Sequence, residues 1–198
     1  MNSRRFIIKT ALSLFIAKSY KAVTMNELEK ATGLTKGAFY HHFKNKEEIF
    51  IEVIDTYYLS IDLFDNKELL TTGTLRQNID FLISKIEAQI VSLKEFTKKE
   101  LFDPYLFLLI IEAREYYPNF IEKAKQKEML LFRKWEQIIL RAKENNEIKQ
   151  DLDTNIIAEN ISAIGGSLLS RVFKQKPFDY SIAILKLQFE QYYYLIKV

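Results

Sequence analysis

The sequence predicts an all-α protein of about nine helices, with an N-terminal three-helix domain followed by a C-terminal helical bundle. Three observations predict it. Glycine and proline are scarce, five and three in 198 residues, so little interrupts a helix. Apolar residues recur every three to four positions along nearly the whole chain. Capping pairs stand just ahead of such runs: Thr24 with Glu27, Asn45 with Glu48, Thr74 with Gln77.

Each element follows from these signals. Ile8, Ala11, Leu12, Phe15 and Ile16 give a first helix from about Arg4 to Lys18. The Thr24–Glu27 box opens a short second helix that ends near Gly33, and Thr35 caps a third through His42. Asn45 opens a fourth, apolar over a broad stripe from Ile49 to Ile61 and extending towards Phe64, as suits a helix packed on two sides. Asp65 to Gly73 reads as a linker or loop. Thr74 opens the fifth helix, Pro104 the sixth and Pro118 a long seventh. The polar run Glu144 to Asp153 breaks the seventh; Thr154 opens the eighth, and Pro177-Phe178-Asp179 turns into the ninth. The domain boundary falls at 1–48 and 49–198, with the helix from about residue 46 joining the two.

Composition narrows the function. There is no cysteine, which excludes disulfides, thiolate metal sites and cysteine nucleophiles and fits a reducing cytoplasm. Residues 1–50 carry nine Lys/Arg against four Asp/Glu, whereas the rest carries 20 against 22. A basic N-terminal segment on a near-neutral body implies an anionic partner for that segment alone. Ser3 to Lys9 has the look of a twin-arginine export signal, but only the seven residues Ala11 to Ala17 follow as an apolar core, with Ser13 inside. Those residues are needed for the first helix, and they are read as helix. No apolar run approaches the ~20 residues that span a bilayer, so no membrane partner is expected.

The stretch from Thr24 to Phe43 carries the function. Two short helices flank Gly33-Leu34, as in a helix-turn-helix, where glycine permits a left-handed turn. The second of them, Lys36 to His42, is too short and polar for a core helix. Phe39 and Phe43 can anchor it, leaving Lys36, Gly37, Tyr40 and His41 outward. A small exposed helix with a cation, a glycine and ring donors is what a major groove admits. Gly37 and Ala38 let the backbone approach base edges or a thymine methyl, and Lys36 can reach guanine. Thr24, Tyr40, His42 and Lys46 can donate to phosphates, Lys46 from a helix start. Thr35 completes this surface. His41 and His42 point about 100° apart on a helix, so one metal ion rarely takes both, and no metal or cofactor is expected. Arg4 and Arg5 read either as a DNA-touching arm or as an untethered basic terminus.

These residues resemble the DNA-binding domain of the TetR family of bacterial regulators. The resemblance runs over residues 7–50 through Ile8, Ala11, Leu14-Phe15, Thr24, Leu28, Ala31, Gly33-Leu34, the run Thr35 to Phe43, and Lys46-Glu47-Glu48-Ile49-Phe50. Two positions depart from the family pattern: Ser19 stands where glycine is usual, and Glu29 where alanine is usual.

The resemblance implies a repressor, not an enzyme, that binds a palindromic double-stranded operator as a homodimer and is released by a small apolar or amphipathic effector. It implies a cavity lined by C-terminal aromatics, for which the candidates are Phe81, Phe102, Tyr105, Phe107, Tyr116 and Trp135, with Glu112, Arg114 or Gln137 as the polar anchor. It also implies pairing of the last two helices with their symmetry copies. The small residues Ala163, Gly165, Gly166 and Ser167 suit close helix approach, and Phe189, Tyr192 and Tyr193 are the ninth-helix candidates. Two other readings stand beside this one: a DNA-binding factor without a small-molecule ligand, and, more remotely, a helical lipid carrier or enzyme.

Overall fold

The computed structural model describes residues 3–97, 104–173 and 176–198. Ten α-helices are present among them: α1 (Ser3–Lys18), α2 (Met25–Thr32), α3 (Lys36–His42), α4 (Lys46–Ile54), α5 (Lys67–Thr72), α6 (Leu75–Thr97), α7 (Pro104–Tyr116), α8 (Phe120–Glu144), α9 (Thr154–Phe173) and α10 (Phe178–Ile196). No helix among the described residues is long and apolar enough to cross a membrane.

The chain divides into two compact units. The first comprises Met1–Ile61 with Asp103–Ala124, the second Asp62–Phe102 with Lys125–Val198. The first unit therefore reaches beyond residue 48, taking in all of α4 and, from far along the chain, α7. Its core explains why: Ile7, Ala11 and Phe15 of α1, Phe50 and Val53 of α4, and Leu109 and Ala113 of α7 are all buried, and α7 packs against both α1 and α4. The 3.6-residue repeat in each helix supplies one apolar face to this core.

Two elements differ from the sequence reading. The α-helical geometry of α4 stops at Ile54 and the chain continues as a π-helical turn, Asp55–Leu59, closed by the Ser60 amide on the Asp55 carbonyl at 2.8 Å. The wider turn ends the helix before Phe64, which the apolar stripe alone could not reveal. Asp55 also accepts the Tyr117 hydroxyl at 2.6 Å; burial and this carboxylate push the Tyr117 phenol above its ordinary value.

The segment expected as a linker instead holds α5, a six-residue helix capped by Asn66, whose Oδ1 accepts the Leu69 amide at 3.0 Å. The carbonyls at its far end are met by donors outside the helix. Arg141 donates to Leu70 at 2.8 Å and to Gly73 at 2.6 Å, and buried Asn78 donates to Leu69 and Gly73 at 3.3 Å each.

In the second unit, Glu147 caps α6 from outside it, accepting the Leu75 and Arg76 amides at 2.8 and 2.9 Å as well as the Tyr193 hydroxyl at 3.0 Å. Burial, and then the bond to Glu147, hold the Tyr193 phenol up at about 12. Trp135 of α8, buried to 1% exposure, lies edge-on to Phe64 at 4.9 Å.

The first helix ends on Ser19, which adopts a left-handed conformation at φ 75° and donates its amide to Phe15 at 2.8 Å. That geometry costs a residue with a side chain about 1–2 kcal/mol, offset in part by the extra unfolded-state entropy of glycine. Ser19→Gly is expected to stabilise the protein by about 0.5–1 kcal/mol, raising Tm by about 1–4 °C. A thermal melt showing no gain would mean that the serine side chain compensates for the strain.

Candidate nucleic-acid interface

The helix-turn-helix is built from local signals. Thr24 caps α2 reciprocally: its hydroxyl oxygen accepts the Glu27 amide at 3.2 Å, and Glu27 accepts the Thr24 amide at 2.9 Å. The hydrogen bond from Lys18, with those from Thr24, holds the Glu27 carboxyl down at about 2. Gly33 ends α2 at φ 64°, in the left-handed region that favours glycine. Thr35 then caps α3 by accepting the Ala38 amide at 3.3 Å.

Helix α3 is anchored by Phe39 and Phe43, at 0% and 1% exposure. Lys36, Gly37, Ala38, Tyr40 and His41 are exposed and His42 is half-buried. A Cβ built on Gly37 meets no atom within 4 Å, so the face around it is open. Lys36 Nζ lies 6.0 Å from the centre of the Tyr40 ring, which places the two side chains one helical turn apart on the same face. The outcome is a short helix with one apolar edge held in the unit and a polar, low-relief edge facing out.

Two expected phosphate donors are engaged elsewhere. The Thr24 hydroxyl proton points to Glu27 at 3.0 Å. More consequentially, the Lys46 ammonium donates to the Tyr20 and Val23 carbonyls at 2.8 and 2.7 Å and lies 4.4 Å from the Tyr20 ring centre. Through these bonds Lys46 fastens the turn between α1 and α2. Burial lowers its basicity, against the pull of Glu112 and Glu27.

Arg4 read in the sequence either as a DNA-touching arm or as an untethered basic terminus. Its guanidinium lies 4.3 Å from the centre of the Phe43 ring, donates to the His42 carbonyl at 2.8 Å and pairs with Glu52. It therefore ties the end of α3 to α4. No local pattern could have shown this, because its partners lie about 40 residues away or more.

The expected ligand-pocket residues that the structure describes divide between the two units. Phe102 lies outside the described residues, as do the side chains of Tyr105 and Phe107 on α7. Half-buried Phe81 and buried Trp135 belong to the second unit, whereas Glu112 and Tyr116 belong to the first. Tyr116 stacks on Tyr20 at 5.0 Å, and the Glu112 carboxylate accepts the Tyr20 and Lys21 amides at 2.9 and 3.3 Å. Glu112 therefore acts as a cap on the backbone of this turn.

The residues expected at a dimer face differ in exposure. Ala163 and Gly166 are exposed, and Ser167 bonds to Gln188 at 3.1 Å. Phe189, however, is 1% exposed and belongs to the chain's own core, which removes it from the candidates. Tyr192 and Tyr193 are half-buried, with hydroxyls bonded to Asn160 and Glu147. The apolar residues that α10 leaves exposed are Tyr180, Leu187, Tyr194 and Leu195.

Helices α2 and α3, with the left-handed turn at Gly33 between them, have the geometry of a helix-turn-helix. Residues 7–53 match the family described as bacterial regulatory proteins, tetR family. The chain is 38% identical over 68 residues to the transposon Tn10 TetC protein of Escherichia coli, a match covering 34% of each chain. The chain spans about a fifth to a third of the length of the curated relatives it matches. Among solved structures, a TetR-family transcriptional regulator from Cytophaga hutchinsonii is similar at 23% identity and TM-score 0.67, over 98% of this chain and 94% of that one. The SmeT–triclosan complex is similar at 17% identity and TM-score 0.68, over 100% and 93%. At these identities the structures establish the fold alone.

Proposed function

We propose that the protein is a cytoplasmic, homodimeric, sequence-specific DNA-binding regulator that represses by occupying a palindromic operator. One observation carries the reading: α3 presents Lys36, Gly37, Ala38, Tyr40 and His41 outward while Phe39 and Phe43 hold it in place. Thr35 and His42 flank that surface and donate to phosphates on either side. The dimer pairs α9 and α10 with their copies, through Ala163 and Gly166 together with Leu187 and Tyr194.

Selecting bound fragments from a random duplex pool tests the reading and supplies the operator. On that operator, Lys36→Ala is expected to cost about 1–3 kcal/mol and to relax preference at one base pair per half-site. Titration against operator and scrambled duplex checks it. Equal weakening on both would make Lys36 a phosphate contact.

Release of the operator by a small apolar or amphipathic ligand is part of the proposal, supported by the similar fold of a protein solved with triclosan. Such a ligand acts only as far as it prefers the non-binding conformation. The second reading, a factor without a ligand, is favoured by Glu112, whose carboxylate is already committed to two backbone amides. A compound enriched by the protein from cell extract that lowers operator affinity decides for the first; no such compound decides for the second.

A further inference from the structure

The turn from Ser19 to Thr24 sets the direction in which α2, and through Gly33 the recognition helix α3, leaves α1. Two opposite charges hold this turn from two other helices. Glu112 of α7 accepts the Tyr20 and Lys21 amides at 2.9 and 3.3 Å. Lys46, at the start of α4, donates to the Tyr20 and Val23 carbonyls at 2.8 and 2.7 Å and lies 3.4 Å from the Lys21 carbonyl. Between them sits the Tyr20 ring, 7% exposed, at 4.1 Å from Phe50, 5.0 Å from Tyr116 and 5.6 Å from Phe15.

We propose that Glu112 and Lys46 form a two-sided clasp that fixes the pose of the recognition helix, making Glu112 a positioning residue for DNA binding. The inference rests on the DNA-binding reading above. Glu112 sits on α7, which is remote in sequence from the helix-turn-helix yet packed against α1 and α4. Its carboxylate is 8% exposed as a residue, so its two bonds are sheltered from water and directional. Helix α2, capped at both ends, carries a displacement of the turn to α3. A shift of α7 relative to α1 therefore reaches the base-reading side chains through the Glu112 carboxylate, beside the Tyr116–Tyr20 ring contact, without touching phosphate contacts.

Glu112→Gln retains the shape but offers one acceptor and turns an N–H towards the second amide. Affinity for the selected operator is expected to fall about tenfold, the scale of one partly lost base contact. Affinity for scrambled duplex and the salt-dependence slope should stay unchanged, while hydrogen exchange quickens at the Tyr20 and Lys21 amides. A melt confirms that the variant is folded at the assay temperature; if it is not, Glu112→Asp keeps the charge, shortens the reach and should show the same pattern more weakly. Lys46→Met should reproduce the loss of discrimination, again with an unchanged slope.

A salt slope reduced by about one in Lys46→Met would assign Lys46 to a phosphate and overturn the clasp. Faster exchange with an unaltered ratio of operator to scrambled affinity would overturn the positioning role of Glu112. A wild type that selects no duplex would overturn the DNA reading and this proposal with it, whereas a wild type that selects an operator, with variants that bind it equally well, overturns this proposal alone.

Discussion

Gly37→Leu should abolish operator preference and leave the protein folded. A Cβ at position 37 meets nothing within 4 Å, so the chain itself has room for a larger residue. Leucine is also the better helix former, by somewhat less than ~1 kcal/mol. Any loss therefore arises in the complex. Gly37 sits in the first turn of α3 between Lys36 and Ala38, where a leucine side chain would hold the helix away from the base edges. Losing two base contacts at about 1–3 kcal/mol each corresponds to a fall of about a hundredfold or more on the operator. Binding to scrambled duplex, which depends on phosphate charge, should change little. Titration of both duplexes beside a thermal melt reads all three quantities. A leucine variant that binds the operator like the wild type would show that α3 does not enter the groove.

How much of the site was legible depended on how local its determinants are. Thr24 and Glu27, Gly33, Thr35, and Phe39 with Phe43 act across three or four residues, so their roles could be read directly and the structure places them as caps, turn and anchors. The bonds of Lys46 to the α1–α2 turn were hidden because the carbonyls it meets lie more than 20 residues earlier, while its helix-start position points to phosphate. Glu112 and Arg4 act over longer separations still. Helix α5 escaped for the same reason. Its six residues are too few to show a helical repeat, and the Gly73 cap at its end is completed by Arg141 from 68 or more residues away.

The last two helices show a different limit. Helix α10 is apolar around much of its circumference, so periodicity finds the helix but cannot say which face is spent internally. Leu185, Phe189 and Ile196 are buried in the chain's own core, whereas Leu187, Tyr194 and Leu195 are half to two-thirds exposed. The residues one step around from those first expected are thus the ones left to cover. On α9 the corresponding surface is Ile156, Ala163 and Gly166, spaced by about two turns and then one, of which Ile156 is 59% exposed.

If these faces meet their symmetry copies, Gly166→Leu should dissociate the dimer and, through it, most of the operator affinity. Neither Gly165 nor Gly166 has an atom of its own chain within 4 Å of a built Cβ, so leucine at 166 does not overpack the monomer. Across a helix pair brought close by small residues, the same side chain should cost about 1–3 kcal/mol per site, and a symmetric interface incurs that cost twice. Once the protomers separate, the second half-site no longer binds at high effective concentration, a loss of about 10²–10⁴ in affinity for the full palindrome. Affinity for an isolated half-site should be unchanged, because the recognition helix is untouched. Sedimentation at micromolar concentration, with titration of full and half operators, separates the two effects. A leucine variant that sediments as the wild-type dimer places the interface elsewhere on the surface, and a wild type that is itself monomeric there rules out the homodimer.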